Sequence, residues 1–314
     1  MNVLITGGAG NLGSRLVVPL VRRGDRVILL DMRPKPHVES DEFRDVKLIQ
    51  GDLADRDVLA ATVRTHSIEG IFHLGAVLSS AAEDRPYDAW RVNMDGMLNV
   101  LDAARFYCVK RVVFSSTVAT YGSGLADPLL VDAPQWPVSL YGVTKVAGER
   151  LGVYYHHRFG LDFRAVRLPA VVAPRGAGGG VSAFCSAAFE ECVLKREYEF
   201  YVKPTTRAPM LYIADAVRGL LDLYDAPEQN LTRRVYNIAG INPSAEELAG
   251  TIQRNLPEVR ITYSPDPVRT SIVESWPCRI DDSDARRDWN WKANWDLERM
   301  AGEIIEVLQS ELAS

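Results

Sequence analysis

The stretch YGVTK sets Tyr141 and Lys145 four residues apart, the spacing that puts two side chains on one face of a helix. An ammonium beside a phenol favours the phenolate, so a group with an ordinary pKa near ~10 becomes a usable proton acceptor near neutral pH. Upstream, FSSTVATYG places the hydroxyls of Ser115, Ser116 and Thr117 at the end of a β-rich run. Hydroxyl, phenol and ammonium together can take a proton from an alcohol, provided a second group accepts the hydride. A Tyr–Lys pair at this spacing is common on surface helices, so its meaning depends on what surrounds it.

The hydride acceptor is indicated at the start of the chain. In VLITGGAGNLGSRL, Val3 to Thr6 read as a buried strand, glycines follow at Gly7, Gly10 and Gly13, and an apolar helical pattern resumes near Leu12. Gly7 serves a tight turn, Gly10 the close approach of a pyrophosphate, and Gly13 the packing of helix on strand. Free N–H groups at the helix start, with the helix dipole, face the phosphates. A plain strand-turn-helix uses similar residues, but here the second strand ends in Asp31. A carboxylate there binds the ribose hydroxyls of NAD and repels a 2′-phosphate. Arg33, two residues on, is the group that would welcome NADP, and NAD is the expected cofactor. GDLAD follows the third strand and HLGA the fourth, so Asp52 and Leu53 are expected at the adenine, and Leu74, Gly75 and Ala76 along the ribose and pyrophosphate. His73 reads as a core histidine rather than a proton carrier.

These residues must be positioned by alternating elements. Short β-rich runs at Val3 to Thr6, Val27 to Asp31, Lys47 to Gln50, Gly70 to Leu74, Arg111 to Ser115 and Asp162 to Arg167 alternate with helical patterns. That order predicts an α/β fold, a doubly wound parallel sheet of the Rossmann type. After RLPAVVAP the pattern changes to a Gly-rich loop, Gly176 to Gly180, and a helical stretch, Phe184 to Leu194. Tyr212 to Pro227 is amphipathic, Val235 to Gly240 reads as one more core strand, and the tail holds two helical patterns around a Pro- and Trp-rich middle. The expected division is a dinucleotide-binding domain over 1–175, to which 212–240 returns, and a smaller, segmented substrate domain over 176–211 and 241–314.

With 314 residues, 47% of them hydrophobic, the chain can bury a large core. A net charge of −5 with no Lys/Arg stripe argues against nucleic acid and anionic membrane, leaving a small-molecule partner. Cys108, Cys185, Cys192 and Cys278 lack CxxC spacing, so no metal site is expected and the thiols fit a reducing cytoplasm. There is no basic-then-apolar leader and no apolar run of the ~20 residues that would span a bilayer.

Taken together, these stretches resemble the extended short-chain dehydrogenase/reductases of the NAD-dependent epimerase/dehydratase superfamily over nearly the full length. The resemblance implies a catalytic triad of Thr117, Tyr141 and Lys145, with Ser116 beside it and Asn93 of NMDG supporting the helices. It also implies NAD contacts from Asn11, Leu12, Asn93, Ser115, Tyr141, Lys145, Leu168 and Pro169, and a homodimer. Within the superfamily, KPTTRAPMLYIADAVR, YNIAG and SWPCRIDDSDARRDWNW are similar to the short-chain L-threonine 3-dehydrogenases. The implied activity is NAD-dependent oxidation of a secondary alcohol, L-threonine to 2-amino-3-oxobutanoate. Ser79, Thr117, Tyr141, Gly179, Gly180, Val181 and Ser182 are the implied substrate residues. Those enzymes carry a loop reading roughly GGGTTDY, whereas this chain reads GGGVSAF. Val181 and Ala183 thus replace a threonine and an aspartate, and Glu274 is a candidate to replace the lost carboxylate. Two other readings remain. A sugar-nucleotide epimerase or sugar-acid dehydrogenase would use the same triad, with Arg175, Arg207 and Arg269 converging on a diphosphate; a non-catalytic NAD sensor would not need the Tyr–Lys pair.

Overall fold

A computed structural model describes residues 1–38, 40–176 and 180–313. In chain order the strands are β1 (Asn2–Thr6), β2 (Arg26–Asp31), β3 (Lys47–Gln50), β4 (Gly70–His73), β5 (Arg111–Thr117), β6 (Asp162–Leu168), β7 (Ala170–Val172), β8 (Glu197–Phe200), β9 (Met210–Tyr212), β10 (Val235–Asn237) and β11 (Arg260–Tyr263). The helices are α1 (Asn11–Arg22), α2 (Arg56–Thr65), α3 (Ser79–Asp84), α4 (Pro86–Trp90), α5 (Gly96–Phe106), α6 (Leu140–Phe159), α7 (Phe184–Lys195), α8 (Ile213–Asp225), α9 (Ala245–Asn255), α10 (Pro267–Glu274), α11 (Ser283–Trp289) and α12 (Leu297–Ala313).

Seven parallel strands form the main sheet in the order β10-β6-β5-β4-β1-β2-β3. The order reverses between β1 and β4, and the crevice at the carboxyl ends beside such a switch point is where open α/β sheets take ligands. One face packs α1 and α8 through Leu16, Leu20, Leu220 and Leu223, with Trp289 and Trp291 from the tail. The other face packs α2, α5 and α6 through Leu59, Leu101 and Tyr155. A third cluster joins α7, α9 and α12 with the small parallel pair β8–β11, through Phe189, Phe200, Leu248 and Ile304. Leu12 packs against both this cluster and the α1/α8 face, and so links the glycine turn to the C-terminal part.

Several strand ends differ from expectation. β4 stops at His73, β5 runs on to Thr117, β6 to Leu168, and β10 ends at Asn237 rather than Gly240. Tyr212 closes strand β9, which pairs with β7, so the amphipathic run turns helical only at Ile213. In the tail, α9 and α12 are the two expected helices, and the Pro- and Trp-rich middle folds as β11 and the short α10 and α11.

Strand β6 carries Arg164 and Arg167 yet is buried along its length. Arg164 is neutralised by Asp162 (2.8 Å) and donates to the carbonyls of Leu223 and Ala226 (both 2.6 Å). Arg167 pairs with Glu149 of α6 at 2.7 Å. Burying such a charge is tolerable only when it is paired and hydrogen-bonded.

Candidate active site

The glycine turn is built for close approach. Gly7 has φ +68°, and a Cβ there would lie 2.6 Å from Gly75 Cα, so the turn packs backbone against backbone on the loop after β4. Gly13 is equally confined: a Cβ would fall 2.4 Å from Gly7 O. Gly10 differs, because its added Cβ would meet only Gly7 O, at 3.1 Å, and otherwise open space. That open, side-chain-free cradle at the start of α1 fits a pyrophosphate. At the end of β2, Asp31 accepts from Ala9 N and Arg33 N, both at 3.0 Å. Its carboxylate is thereby held beside the turn, while the Arg33 side chain is exposed.

The remaining expected cofactor residues divide. Gly75 lies against Gly7, and Leu53 against both Gly75 and Gly96. Asp52 accepts from Ala54 N (2.9 Å) and pairs with Arg91 (2.7 Å). Leu168 and Pro169 are buried at the end of β6, and Leu74 and Ala76 are half-buried in the loop after β4. Asn11 donates to Arg175 O at 3.4 Å and accepts from Arg15, tying the turn to the segment after β7. Asn93 is hydrogen-bonded within the protein. It sits in a π-helical turn, Arg91–Asp95, where its amide accepts from Val77 N (2.7 Å) and donates to Val77 O and Thr144 Oγ1 (both 3.1 Å). Those bonds clamp the loop after β4 to α6, the helix-supporting role expected for Asn93.

α6 presents Tyr141, Lys145 and Glu149 along one stripe, each a turn from the next. Lys145 is 3% exposed and donates from Nζ to Ser115 O at 2.7 Å, which fixes it at the carboxyl end of β5. Its ammonium lies 5.6 Å from the Tyr141 ring centroid and 4.4 Å from that of Phe114. Burial pulls the Lys145 pKa down to about 7, against the opposing pull of Glu149. Burial also pushes the Tyr141 phenol up. Thr117 begins the short turn after β5, where its Oγ1 accepts from Ala119 N at 3.2 Å. His73 is a core histidine: Nδ1 bonds Thr6 Oγ1 at 2.7 Å and the ring stacks on Phe114. Burial, then Lys145, lowers its pKa to about 3.

Behind these residues lies a network that the sequence reading did not identify. Glu149 accepts from Ser116 Oγ, from Arg167 and from Gln135 (3.0 Å), and Arg167 also reaches Val131 O at 2.8 Å. Tyr121, which bonds Arg167, donates to Asn237 Oδ1 at 2.9 Å. The network locks the end of β5 to α6. The signal available was Glu149 itself, a carboxylate one turn beyond Lys145.

Of the expected substrate residues, Gly179 lies outside the described residues. Gly180 lies beside both Ser79, at the start of α3, and Ser182: a Cβ on Gly180 would lie 3.4 Å from Ser79 Oγ and 3.7 Å from Ser182 Oγ. Val181 O accepts from the Tyr201 hydroxyl at 3.0 Å. Glu274 is not a free acceptor, because Lys203 (3.0 Å) and Thr206 (2.9 Å) occupy its carboxylate. Nor do the three arginines act together. Arg175 pairs with Glu311, Arg207 with Glu247, and Arg269 stacks on Tyr201.

A doubly wound sheet with a glycine turn, an acidic end to β2 and a Tyr–Lys pair beside β5 defines a dinucleotide-binding protein. Residues 3–239 match the NAD-dependent epimerase/dehydratase family, and the chain belongs to it. It is 39% identical to the mitochondrial L-threonine 3-dehydrogenase of Bos taurus, covering 98% of this chain and 83% of the bovine protein. The holo form of the GalE-like L-threonine dehydrogenase from Cupriavidus necator superposes with a TM-score of 0.90 at 34% identity, covering 98% of this chain and all (100%) of that one. A monomeric L-threonine 3-dehydrogenase from a metagenome, in its apo form, superposes with a TM-score of 0.86 at 31% identity, covering 98% and 99% of the two chains.

Proposed function

We propose that the protein oxidises a secondary alcohol with NAD, and that the alcohol is L-threonine, giving 2-amino-3-oxobutanoate. The observation that carries this reading is the seating of Lys145 on Ser115 O, with Tyr141 one turn away on α6. The names of the relatives at 31–39% identity support the substrate.

Gly7, Gly10, Gly13 and the α1 amides would hold the pyrophosphate of NAD, Asp31 its adenosine ribose, and Lys145 its nicotinamide ribose. When bound, NAD supplies a hydride acceptor and a positive charge close to the Tyr141 phenol. Tyr141 takes the proton from the C3 hydroxyl, and Thr117 orients that oxygen. Because burial raises the Tyr141 pKa, the phenolate depends on the positive charges of protonated Lys145 and of bound NAD to offset that cost. Ser79 and Ser182 offer hydroxyls to the polar end of the substrate.

The deciding comparison is L-threonine against 3-hydroxybutyrate, which lacks only the amino group. A site that hydrogen-bonds the amine rejects the analogue by on the order of 10²-fold in kcat/KM. Equal values would remove the threonine assignment and leave alcohol oxidation standing.

We infer a homodimer through the helices on the α5/α6 face. Leu98, Phe106, Val143 and Tyr154 are exposed there, next to Tyr87 and Trp90 of α4. Sedimentation showing only monomer at micromolar concentration would contradict it. The four cysteines are free, as befits a reducing compartment, which we take to be the cytoplasm. The residues 1–175 with 212–240, and 176–211 with 241–314, are taken as the cofactor and substrate domains, a division supported by the separate core of α7, α9 and α12.

A further inference from the structure

Helix α3 has little of its own to hold it. It is six residues long, has no side-chain cap at its N-terminus, and buries only Ala82. Yet it carries Ser79, whose Oγ lies 3.4 Å from where a Cβ on Gly180 would stand, next to Ser182. One turn after Ser79, on the same side of α3, stands Glu83. Its Oε1 accepts from the backbone N–H of Leu140, at 2.8 Å, across 57 residues of chain. Leu140 is the first residue of α6 and the neighbour of Tyr141. Ser139 caps the same turn locally by accepting from Gly142 N at 3.1 Å, so Glu83 provides the non-local anchor. A carboxylate is well suited to that place, because it meets an otherwise unpaired amide at the positive end of the helix dipole. Among the described residues no lysine or arginine is ion-paired with Glu83, so its carboxylate is not committed to another charge.

We propose that Glu83 is a positioning residue for the substrate: it straps α3 to the first turn of α6 and thereby fixes Ser79 relative to Tyr141. The inference rests on the reading above that Ser79 and Tyr141 face one substrate. Glu83 touches neither substrate nor cofactor and acts through Ser79. The charge is secondary to the acceptor oxygen, so an amide in its place keeps the strap and a methyl releases it.

The test is a double-mutant cycle with L-threonine as substrate, reading kcat, KM, NADH affinity and melting temperature. Glu83→Ala raises KM by on the order of 10-fold, the size expected for one lost charge-assisted hydrogen bond, and leaves NADH affinity unchanged. Glu83→Gln restores KM to within about 3-fold of the wild type, since its Oε1 accepts the same bond. In a Ser79→Ala background, Glu83→Ala adds less than about 2-fold, because the group it positions is gone. Glu83→Asp, too short to keep the reach, takes the same place in the cycle if the alanine variant does not fold. A penalty that persists undiminished in the Ser79→Ala background overturns the proposal, as does a drop in melting temperature with KM unchanged. A Ser79→Ala variant with wild-type KM instead refutes the assignment of Ser79 to the substrate. A wild-type protein inert with L-threonine refutes the substrate reading, and the inference falls with it.

Discussion

Replacing Gly7 and Gly10 separately by alanine distinguishes a turn glycine from a cradle glycine. At Gly7 the new methyl is forced into a left-handed backbone conformation, φ +68°, and within 2.6 Å of Gly75 backbone atoms. The conformational term costs about 1–2 kcal/mol and forced overpacking about 1–3 kcal/mol, so Gly7→Ala should destabilise the fold by about 2–5 kcal/mol. At Gly10 there is no such strain, and the methyl meets Gly7 O alone, at 3.1 Å. Stability should then change by less than about 1 kcal/mol, while the methyl fills the space meant for a pyrophosphate. NADH affinity should fall at least ~10-fold, or about 1.4 kcal/mol. Urea unfolding monitored by tryptophan fluorescence measures the first quantity, and titration with NADH the second. If Gly10→Ala bound NADH as tightly as the wild type, the cradle would be misplaced. If Gly7→Ala were as stable as the wild type, the backbone contact between the turn and the loop after β4 would not be tight.

Two further outcomes follow from α6. Tyr141→Phe should abolish most L-threonine turnover, on the order of 10²–10⁴-fold, with NADH affinity kept; near-normal turnover would show that another group takes the proton. Lys145, near 7 in the fold against 10.5 in a free chain, binds fewer protons folded than unfolded between those values. Its contribution to stability therefore rises with pH across that window. Unfolding midpoints measured from pH 7 to 9 should climb more steeply for the wild type than for Lys145→Met, and parallel curves would refute the lowered pKa.

What was legible in the sequence was what depends on local pattern. The nucleotide half could be read because each strand is a short apolar run that ends in chemistry: Thr6 before the glycines, Asp31 closing β2, Ser115 to Thr117 closing β5. Tyr141 and Lys145 were legible because one turn of helix fixes their relation whatever lies around them. Features that depend on distant partners were hidden. Arg164 and Arg167 look like surface residues until Asp162 and Glu149 arrive to neutralise them. Glu274 looked available until Lys203 and Thr206 claimed it. The bonds from Asn93 to Val77 and Thr144 join the loop after β4 to α6, a relation no local spacing shows. The anchor from Glu83 to Leu140 spans 57 residues, and no spacing rule relates those positions.

The stripe of Tyr141, Lys145 and Glu149 also constrains how the gene for this protein can change length. Each residue added to a helix rotates everything beyond it by about 100°. One inserted codon between 141 and 149 would therefore swing Lys145 away from Ser115, or Glu149 away from Arg167, and no neighbouring substitution could restore both. Gly176 and the residues from Gly180 to Ala183 lie in no helix, with Glu190 bonded to Gly176 N and the Tyr201 hydroxyl bonded to Val181 and Phe184. Exchanges at Val181, Ser182 and Ala183 leave that helical stripe in frame. On the substrate role proposed above for Ser182, a lineage built on this chain could thus try new substrates there without having to reinvent the oxidation.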